Sequence, residues 1–222
     1  HIFHGLVIGI IFKIINFRIK IVFTSHNFNA GQNPLRKIFI ILSKPFRNAD
    51  IVFSNKQHTD LNIKNTNIIF NGVDSAVNSI SHIDENNQVN SKKYKLLAVG
   101  SLTKQKNFAN LVFEIAGVLK SQDAILDIYG EGPEREKIES AILTTNAEKN
   151  VFLKGISSTI SKDMSGYDLF IISSIYEGFP LVLIEAGMNK LPILSTNVGA
   201  IDEILTDENG WCVEFNEFKR DR

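Results

Sequence analysis

Residues 174–186 read Ser-Ile-Tyr-Glu-Gly-Phe-Pro-Leu-Val-Leu-Ile-Glu-Ala, with a polar turn at the centre and apolar residues behind it. The apolar run before this stretch predicts a strand over 168–173, and the run after Pro180 predicts a helix over 181–189. Gly178 permits the tight turn between them. A strand that turns directly into a helix is typical of an α/β fold with a parallel sheet.

Strands and helices alternate on both sides of this turn. Further strands are predicted over 19–23, 50–54, 67–70, 94–99, 124–129, 151–153 and 192–195. Helices are predicted up to Phe17, over 34–44, shortly after 54, behind Asn107 and over 133–143. In sheets of this kind ligands bind beyond the carboxyl ends of the strands, so the polar residues that directly follow strands are the candidates for function.

The hydrophobic pattern stops after Asn71-Gly72, a turn signal, and gives way to Asn, Ser, Asp and Glu. We therefore expect two Rossmann-like, doubly wound parallel-sheet domains, a partial one over 1–74 and a second over 94–222, joined by a linker over 75–93. The first residues already lie in an apolar element without a preceding methionine. We expect the chain to be a fragment with an incomplete first domain.

Charge and cysteine content exclude several classes of protein. Lys and Arg number 24, as do Asp and Glu, so no overall basic field attracts nucleic acid or an anionic membrane. The single Cys212 excludes an internal disulfide and a cysteine-based zinc site, and it suits a reducing compartment. We expect a cytoplasmic protein without a nucleic-acid partner.

The apolar run over 5–12 is too short for a membrane span. Lys13 and Arg18 interrupt it well before the roughly 20 apolar residues that a spanning helix needs. It also lacks the features of a signal peptide. A buried helix is expected, with an amphipathic helix on a membrane surface as the alternative.

The loop after the strand over 94–99 carries a candidate anion site. It reads Gly100-Ser-Leu-Thr-Lys-Gln-Lys-Asn107, and Asn107 is placed as the N-cap of the next helix. Lys106 therefore lies beside free backbone N–H groups and the positive end of a helix dipole, which together suit a diphosphate. The alternative is that Lys104 and Lys106 are solvated loop charges.

Glycines follow the next two strands. Tyr129-Gly-Glu-Gly-Pro133 places Pro133 at the expected first position of a helix, and Gly155 follows the strand after it. For Gly132 and Gly155, close approach of the backbone to a ligand and an ordinary tight turn both remain open.

Two glutamates belong to the central turn and its helix. Glu177 directly follows a strand, near the amides of Phe179 and Leu181 at the helix start. Glu185 lies in the apolar helix, where a carboxylate is costly unless it is hydrogen-bonded. A vicinal sugar diol would supply two hydrogen bonds, and a bond to a neighbouring loop is the structural alternative. For Glu203, a contact with a ligand and a cap or ion pair within its own short helix both remain open.

A glutamate, seven residues and a second glutamate within 174–186 closely resemble the signature of family 4 retaining glycosyltransferases of the GT-B fold. Four earlier segments also resemble motifs of this family and occur in the order that the family shows. They are Asn71-Gly-Val-Asp74, Val99-Gly-Ser-Leu-Thr-Lys-Gln-Lys-Asn107, Ile128-Tyr-Gly-Glu-Gly-Pro133 and Phe152-Leu-Lys-Gly155. The resemblance covers nearly the whole chain and is most specific from Tyr94 to Gly210.

The resemblance implies a hexosyltransferase of polysaccharide or glycoconjugate biosynthesis. The second domain would hold a nucleotide diphosphate sugar, with UDP as the expected nucleotide, and the first would hold a glycan or lipid-linked acceptor. Lys106 would hold the diphosphate and Glu185 the ribose. The transferring sugar and α-phosphate would lie against Glu177. The remaining donor-binding positions would be Gly100, Ser101, Gly132, Gly155, Gly178, Phe179, Pro180 and Leu181.

Transfer in this family retains the anomeric configuration by front-face attack, in which the leaving phosphate accepts the acceptor's proton. Neither a metal nor a cofactor is implied, because lysine and backbone amides take the charge that a cation would neutralise. A lipid-linked acceptor would bring peripheral contact with the inner face of a membrane.

The chain departs from the family pattern at several points. Ser101 stands where many members carry Arg, so one of two phosphate-binding cations is absent. The chain also stops at Arg222, before the C-terminal helices of the family. A catalytic histidine is expected at the end of a first-domain strand, with His4 as the first candidate and His26 as the second.

Two other functions remain open. One is another enzyme on the same fold, a sugar-nucleotide epimerase or a phosphorylase, although the sequence shows no lysine for the pyridoxal phosphate of a phosphorylase. The other is a non-catalytic remnant that binds nucleotide. The match over Glu177-Gly-Phe-Pro180 favours the transferase.

Overall fold

The computed structural model describes residues 2–25, 34–55, 58–59, 66–69, 72, 93–206 and 208–214. Its contacts divide the chain into two compact units. One consists of His1–Asn71 with Tyr176–Phe179, and the other of Gly72–Ile175 with Pro180–Arg222. The predicted linker over 75–93 lies outside the described residues except for Lys93.

The described part of the first unit contains a parallel sheet and the helices that precede and follow its first strand. Strands β1 (Val22–Thr24), β2 (Ala49–Val52) and β3 (Thr66–Ile68) pair in the order β1-β2-β3. Helices α1 (Ile2–Ile15) and α2 (Pro34–Leu42) flank β1 in the chain, and a 3-10 turn (Lys44–Phe46) follows. Both helices pack on one apolar cluster, made of Leu6 and Ile10 of α1, Ile21 and Phe23 at β1, and Phe39 and Ile40 of α2.

A buried ion pair supports this unit. The Arg47 guanidinium lies 3.1 Å from Asp50 Oδ1, donates 2.9 Å to the carbonyl of Ile40 and covers the ring of Phe23. Burial raises the pKa of Asp50 in spite of the neighbouring guanidinium, and it lowers the pKa of Arg47. Desolvation therefore opposes both charges, as expected for a pair closed off from water.

The second unit contains one parallel sheet in the order β6-β5-β4-β7-β8-β9. Its strands are β4 (Tyr94–Val99), β5 (Ala124–Tyr129), β6 (Val151–Gly155), β7 (Leu169–Ile172), β8 (Ile193–Thr196) and β9 (Gly210–Val213). Its helices are α3 (Phe108–Ser121), α4 (Arg135–Thr144), α5 (Ile160–Asp163) and α6 (Leu181–Met188), with 3-10 turns at Met164–Gly166 and Ile201–Glu203. The predicted α/β fold with parallel sheets is confirmed.

Each face of this sheet has its own core. On one side, α3 and α4 bury Leu111, Leu119 and Ile138 against Leu126 and Ile128 of β5. On the other, α6 buries Leu183 and Ala186 against Leu97, Phe170 and Ile193. Layers on both faces leave the loops at the carboxyl ends of the strands free to form a site.

A buried polar contact lies in the same sheet. The Tyr167 hydroxyl donates 2.9 Å to Asp127 Oδ2 and lies 3.4 Å from the Tyr129 hydroxyl, and Asp127 is 8% exposed. Burial, followed by these hydrogen bonds, raises the pKa of Tyr167 above its ordinary range. The neutral phenol is therefore the form that the fold favours.

Several element boundaries differ from expectation. The first strand begins at Val22 rather than 19, and α4 begins at Arg135 rather than Pro133. In the second case Glu134 N donates 2.9 Å to the carbonyl of Leu102, which holds residues 133–134 in a turn. The edge strand β9 was not predicted, because a run of four residues that contains one β-branched side chain gives little strand signal.

Within the described residues, no helix combines the length and the apolar character needed to cross a membrane.

Candidate functional site

The candidate site lies where the strand order of the second unit reverses. The chain winds outward from β4 through β5 to β6, then returns to the other side of β4 and winds outward again from β7. Loops leaving neighbouring strands diverge at such a point and open a crevice at the carboxyl edge of the sheet. The loops that follow β4 and β7 carry Lys106 and Glu177.

Lys106 lies across the end of β4. A Cβ atom built on Gly100 would lie 2.9 Å from Lys106 Cε and 3.2 Å from Cδ, so the lysine stem covers the glycine. The Lys106 backbone N–H donates 3.0 Å to the carbonyl of Thr103, which closes the turn. The absence of a side chain at Gly100 therefore makes room for the lysine along the crevice.

The loop after β7 holds the Lys106 loop in place. The Ser173 hydroxyl donates 2.7 Å to the carbonyl of Lys106, and Ile175 N donates 2.8 Å to the carbonyl of Gln105. The Thr196 hydroxyl at the end of β8 donates 2.7 Å to the carbonyl of Ser174. Hydrogen bonds therefore join the ends of β4, β7 and β8, three strands that lie side by side in the sheet.

Ser173 and Thr196, which support the site, were not predicted from the sequence. Both are at most 1% exposed. The available signal was a pair of small hydroxyl residues, Ser173-Ser174, at the end of an apolar strand. Buried hydroxyls need partners, and main-chain carbonyls of the next loop are the ones within reach.

Asn107 occupies the predicted N-cap position of α3 but does not cap through its side chain. Its backbone is left-handed, with φ 58° and ψ 30°, and its side chain makes no capping hydrogen bond. Asparagine tolerates this conformation better than most residues. The chain therefore turns sharply after Lys106 and enters α3 with its first N–H groups unused by a cap.

Main-chain hydrogen bonds also join the loops after β4, β5 and β6. Gly100 N donates 2.9 Å to the carbonyl of Tyr129, Leu102 N donates 2.9 Å to that of Glu131, and Gly130 N donates 2.8 Å to that of Gly155. Gly130 has φ +143°, and a Cβ atom there would lie 1.9 Å from the carbonyl oxygen of Gly100. Only glycine allows these strands to meet so closely.

Gly132 and Gly155 belong to the same hydrogen-bonded loops after β5 and β6, which together with the loop after β4 we call the interlock. A Cβ atom on Gly132 would lie 2.5 Å from the carbonyl oxygen of Leu102, whereas one on Gly155 would lie 3.5 Å from the Glu131 carboxylate. Glu131 itself forms a two-bond ion pair with Arg135, whose hydrogen bonds lower the pKa of Glu131. Close approach of backbone to backbone accounts for Gly132, and Gly155 meets a side chain.

Helix α6 presents its N-terminus to the loop after β7. Pro180 is its N-cap, with φ −73° and ψ 114°, and no acidic residue lies in its first turn. Gly178 and Phe179 are half-buried just before it, and Leu181 is 44% exposed at its first position. The positive end of this helix is thus available to an anion.

The two glutamates differ in environment. Glu177 is 5% exposed, and the segment Tyr176–Phe179 that carries it is grouped with the first unit. Glu185 lies in α6 and is half-buried. Among the described residues, the Glu185 carboxylate has no hydrogen-bond or ion-pair partner, so the structural alternative of a bond to a neighbouring loop gains no support there.

The structure therefore brings together Gly100, Lys106, Gly132 and Gly155 through one set of linked loops, with exposed Ser101 in the same loop as Lys106. It does not place His4 at a strand end. His4 is exposed in the first turn of α1, whereas His26 lies outside the described residues. Glu203 is exposed at the end of its 3-10 turn.

Two curated relatives illustrate what the chain is similar to. It is 38% identical over 109 residues to the poly(ribitol-phosphate) alpha-N-acetylglucosaminyltransferase of Staphylococcus aureus, covering 47% of this chain and 22% of the relative. It is 29% identical over 205 residues to the N-acetylgalactosamine-N,N'-diacetylbacillosaminyl-diphospho-undecaprenol 4-alpha-N-acetylgalactosaminyltransferase of Campylobacter jejuni, covering 88% of this chain and 53% of the relative. The chain thus spans only part of their length.

Solved structures agree with the fold. A Staphylococcus aureus TarM mutant in complex with fondaparinux, alpha-GlcNAc-glycerol and UDP matches with a TM-score of 0.70 and 27% identity, over 90% of this chain and 42% of TarM. Anabaena Alr3699/HepE in complex with UDP and glucose matches with a TM-score of 0.80 and 19% identity, over 97% of this chain and 65% of that one. The predicted GT-B fold class is confirmed.

A family model described as "Glycosyl transferases group 1" matches residues 79–220. These residues include both glutamates, Lys106 and every loop of the crevice. Because the match covers more than half of the chain, the protein belongs to the family of group 1 glycosyl transferases.

Proposed function

We propose that the protein is a retaining hexosyltransferase of family 4 that moves a sugar from a UDP-linked donor to a glycan or lipid-linked acceptor. The observation that carries this proposal is the position of Lys106, whose stem crosses Gly100 and whose carbonyl is held by Ser173 at the reversal of strand order. A lysine held there, directly before the N-terminus of α3, suits a diphosphate.

The diphosphate would be bound without a metal or cofactor. Lys106 supplies one full positive charge, and the first N–H groups of α3 and α6 supply partial charges. These donors are fixed by the interlocked loops before the ligand arrives, so little reorganisation is needed as charge develops on the leaving phosphate. Ser101 adds a hydroxyl where many members add a second cation.

The two glutamates would bind different parts of the donor. Glu185, without a partner among the described residues, would accept both hydroxyl protons of the ribose. Glu177 and the segment from Gly178 to Leu181 would hold the transferring sugar and the α-phosphate. Positive charge develops at the anomeric carbon during transfer, and a carboxylate near it stabilises that charge more than it stabilises the bound donor.

The names of the relatives support a proposal for the acceptor and its location. One acts on poly(ribitol-phosphate) and another on a diphospho-undecaprenol intermediate, by their names. By that likeness we propose an acceptor in polysaccharide or glycoconjugate biosynthesis, reached in the cytoplasm at the inner face of a membrane. Likeness to TarM, which was solved in complex with UDP, supports UDP as the nucleotide.

Donor binding and product analysis test this function together. Calorimetry with UDP and with uridine should give much tighter binding for UDP. Incubation with several UDP-sugars and a water-soluble glycan acceptor should then yield a product that retains the donor's anomeric configuration by NMR. UDP binding without product would identify a non-catalytic nucleotide-binding protein, and release of an isomerised sugar nucleotide would identify an epimerase. Equal affinity for UDP and uridine would refute the diphosphate site.

A further inference from the structure

One face of the second unit's sheet is open over β5 and β6. Side chains alternate along a strand, and Leu126 and Ile128 of β5 pack under α3 and α4. Ile125 and Asp127 of the same strand therefore lie on the opposite face. There α5 packs through Ile160 with core residues of β4 and β7, on the side away from β6.

A cavity of about 420 Å³ lies in this open area, and we call it the β5–β6 cavity. Ile125 and Phe152 give it apolar lining, and Phe152 is 37% exposed. Asp127 and Tyr167 give it polar lining. A volume of this size and a mixture of apolar and polar groups are typical of sites for small molecules, which occupy roughly 300–1,000 Å³.

Two lysines add positive charge to the β5–β6 cavity. Lys95 of β4 and Lys154 of β6 line it from opposite sides, because these strands flank β5. Both are exposed, and neither ammonium has a hydrogen-bond or ion-pair partner within the part of the chain that the structure describes. The cavity therefore offers two cations to an anionic ligand.

The β5–β6 cavity is separate from the crevice that carries Lys106 and Glu177. Lys95 and Ile125 are the second residues of their strands, near the amino edge of the sheet. Lys106 and Glu177, in contrast, follow the carboxyl ends of β4 and β7. A ligand in the cavity would leave the crevice free.

We propose that the β5–β6 cavity binds a sugar that carries a phosphate group. A sugar ring presents an apolar face of C–H groups, which suits the Phe152 ring, and its phosphate suits the two lysines. Asp127 accepts a hydrogen bond from Tyr167 at Oδ2, whereas its buried Oδ1 has no partner among the described residues. A sugar hydroxyl would supply that bond.

Other classes of ligand use fewer of these groups. Inorganic phosphate would leave the Phe152 ring and Asp127 unused. A purely apolar ligand would leave both lysines without a partner. A phosphorylated sugar combines an apolar ring face, hydroxyl donors and an anion, so it matches all three kinds of lining.

Calorimetry with the whole chain tests this inference, which does not depend on glycosyl transfer. Glucose 6-phosphate should bind more tightly than either glucose or inorganic phosphate. Saturating UDP should leave its binding unchanged, and so should Lys106→Ala. Absence of binding, affinity no greater than that of inorganic phosphate, or displacement by UDP would each overturn the proposal. UDP binding, measured alongside, tests the proposed function separately.

Substitutions in the lining assign the binding to the cavity. Lys95→Gln with Lys154→Gln should weaken binding of glucose 6-phosphate about 10- to 100-fold, through lost hydrogen bonds to a charged group. Phe152→Leu keeps an apolar side chain but removes the ring, so it should weaken glucose 6-phosphate and not inorganic phosphate. Lys149→Gln with Lys190→Gln removes two other exposed cations of this unit and should change nothing. Equal losses in the two lysine pairs would refute the site.

The phosphate can belong to a free sugar phosphate or to a phosphate-linked glycan. The methyl phosphodiester of glucose at the same position distinguishes these sources. Tighter binding of the monoester would support the site and identify a free sugar phosphate as its ligand. Equal or tighter binding of the diester would support the site and identify a unit of a glycan.

Discussion

The Ser173 hydroxyl donates a hydrogen bond of 2.7 Å to the backbone carbonyl of Lys106, across 67 positions of sequence. Ser173→Ala should therefore leave this carbonyl without a partner and loosen the turn that positions the ammonium. We expect weaker UDP binding, unchanged uridine binding, and a loss of about 1–3 kcal/mol in the free energy of unfolding. Calorimetry and urea denaturation measure the two effects.

Ser195→Ala is the matched control for this prediction. Ser195 is also 1% exposed and donates to a backbone carbonyl, that of Thr196, but it does not touch the Lys106 loop. It should lower stability without changing the preference for UDP over uridine. An equal change of that preference in both variants would show that Ser173 acts only through general stability.

Lys106→Ala should weaken binding of UDP by about 1.5–3 kcal/mol, the worth of a hydrogen bond to a charged group. Binding of uridine should be almost unchanged, because the ammonium is assigned to the diphosphate alone. Lys104→Ala removes an exposed cation from the same loop and serves as the control. Equal losses of UDP affinity in the two variants would show that Lys106 acts only through its charge in the loop and does not bind the diphosphate specifically.

Glu185→Gln and Glu177→Gln should separate binding from rate. The first should weaken UDP and uridine alike, by about 1.5–3 kcal/mol, because it removes a charged acceptor of ribose hydroxyls. The second should lower turnover while sparing affinity for free UDP. Glu114→Gln, at an exposed position of α3, should change neither quantity. If Glu177→Gln weakened nucleotide binding and Glu185→Gln left it intact, the roles assigned to the two glutamates would be reversed.

Gly130→Ala should destabilise the second unit, because its methyl group would lie 1.9 Å from the Gly100 carbonyl oxygen. We expect a loss of about 1–3 kcal/mol by overpacking, measured by urea denaturation. Gly117→Ala should act in the opposite direction. That glycine lies inside α3 with nothing within 4 Å of an added methyl group, so helix propensity should stabilise the variant by about 0.5–1 kcal/mol. The same sign for both would contradict the interlock.

The Tyr167 phenol should make stability fall at high pH. Its pKa is raised in the folded chain, so its contribution is complete below the ordinary value of about 10 and is lost as the pH rises towards the folded value. The free energy of unfolding should thus decline more steeply above pH ~10 in the original chain than in Tyr167→Phe. Tyr94→Phe, an exposed position, should keep the original slope.

Strands of the second unit were predictable because each is an apolar run between turn signals. Tyr94–Val99 and Ala124–Tyr129 match expectation to the residue. Strands of the first unit have three or four residues, so their ends shifted. The individual loops that carry Lys106 and Glu177 were also predictable, since polar residues after strands mark the carboxyl edge of such a sheet.

The contacts that join these loops were not predictable. The bonds of Ser173 to Lys106 and of Thr196 to Ser174 link residues that only the strand order brings side by side. The total charge likewise gave no indication that residues 1–49 contain Lys and Arg but no Asp or Glu, because opposite charges in different parts of the chain cancel in the sum. The resemblance implied a histidine at the end of a strand, but its first candidate, His4, lies in the helix that the apolar run was expected to form.

The loops after β4, β5 and β6 are joined through main-chain atoms, at Gly100 with Tyr129, Leu102 with Glu131 and Gly130 with Gly155. Main-chain atoms are common to all residues, so the exposed side chains of Ser101 and Lys104 can be exchanged without breaking these bonds. Substitution at Ser101, the proposed phosphate contact, can then alter donor binding while the framework is inherited unchanged. For protein engineering, Ser101 is the place to begin a library.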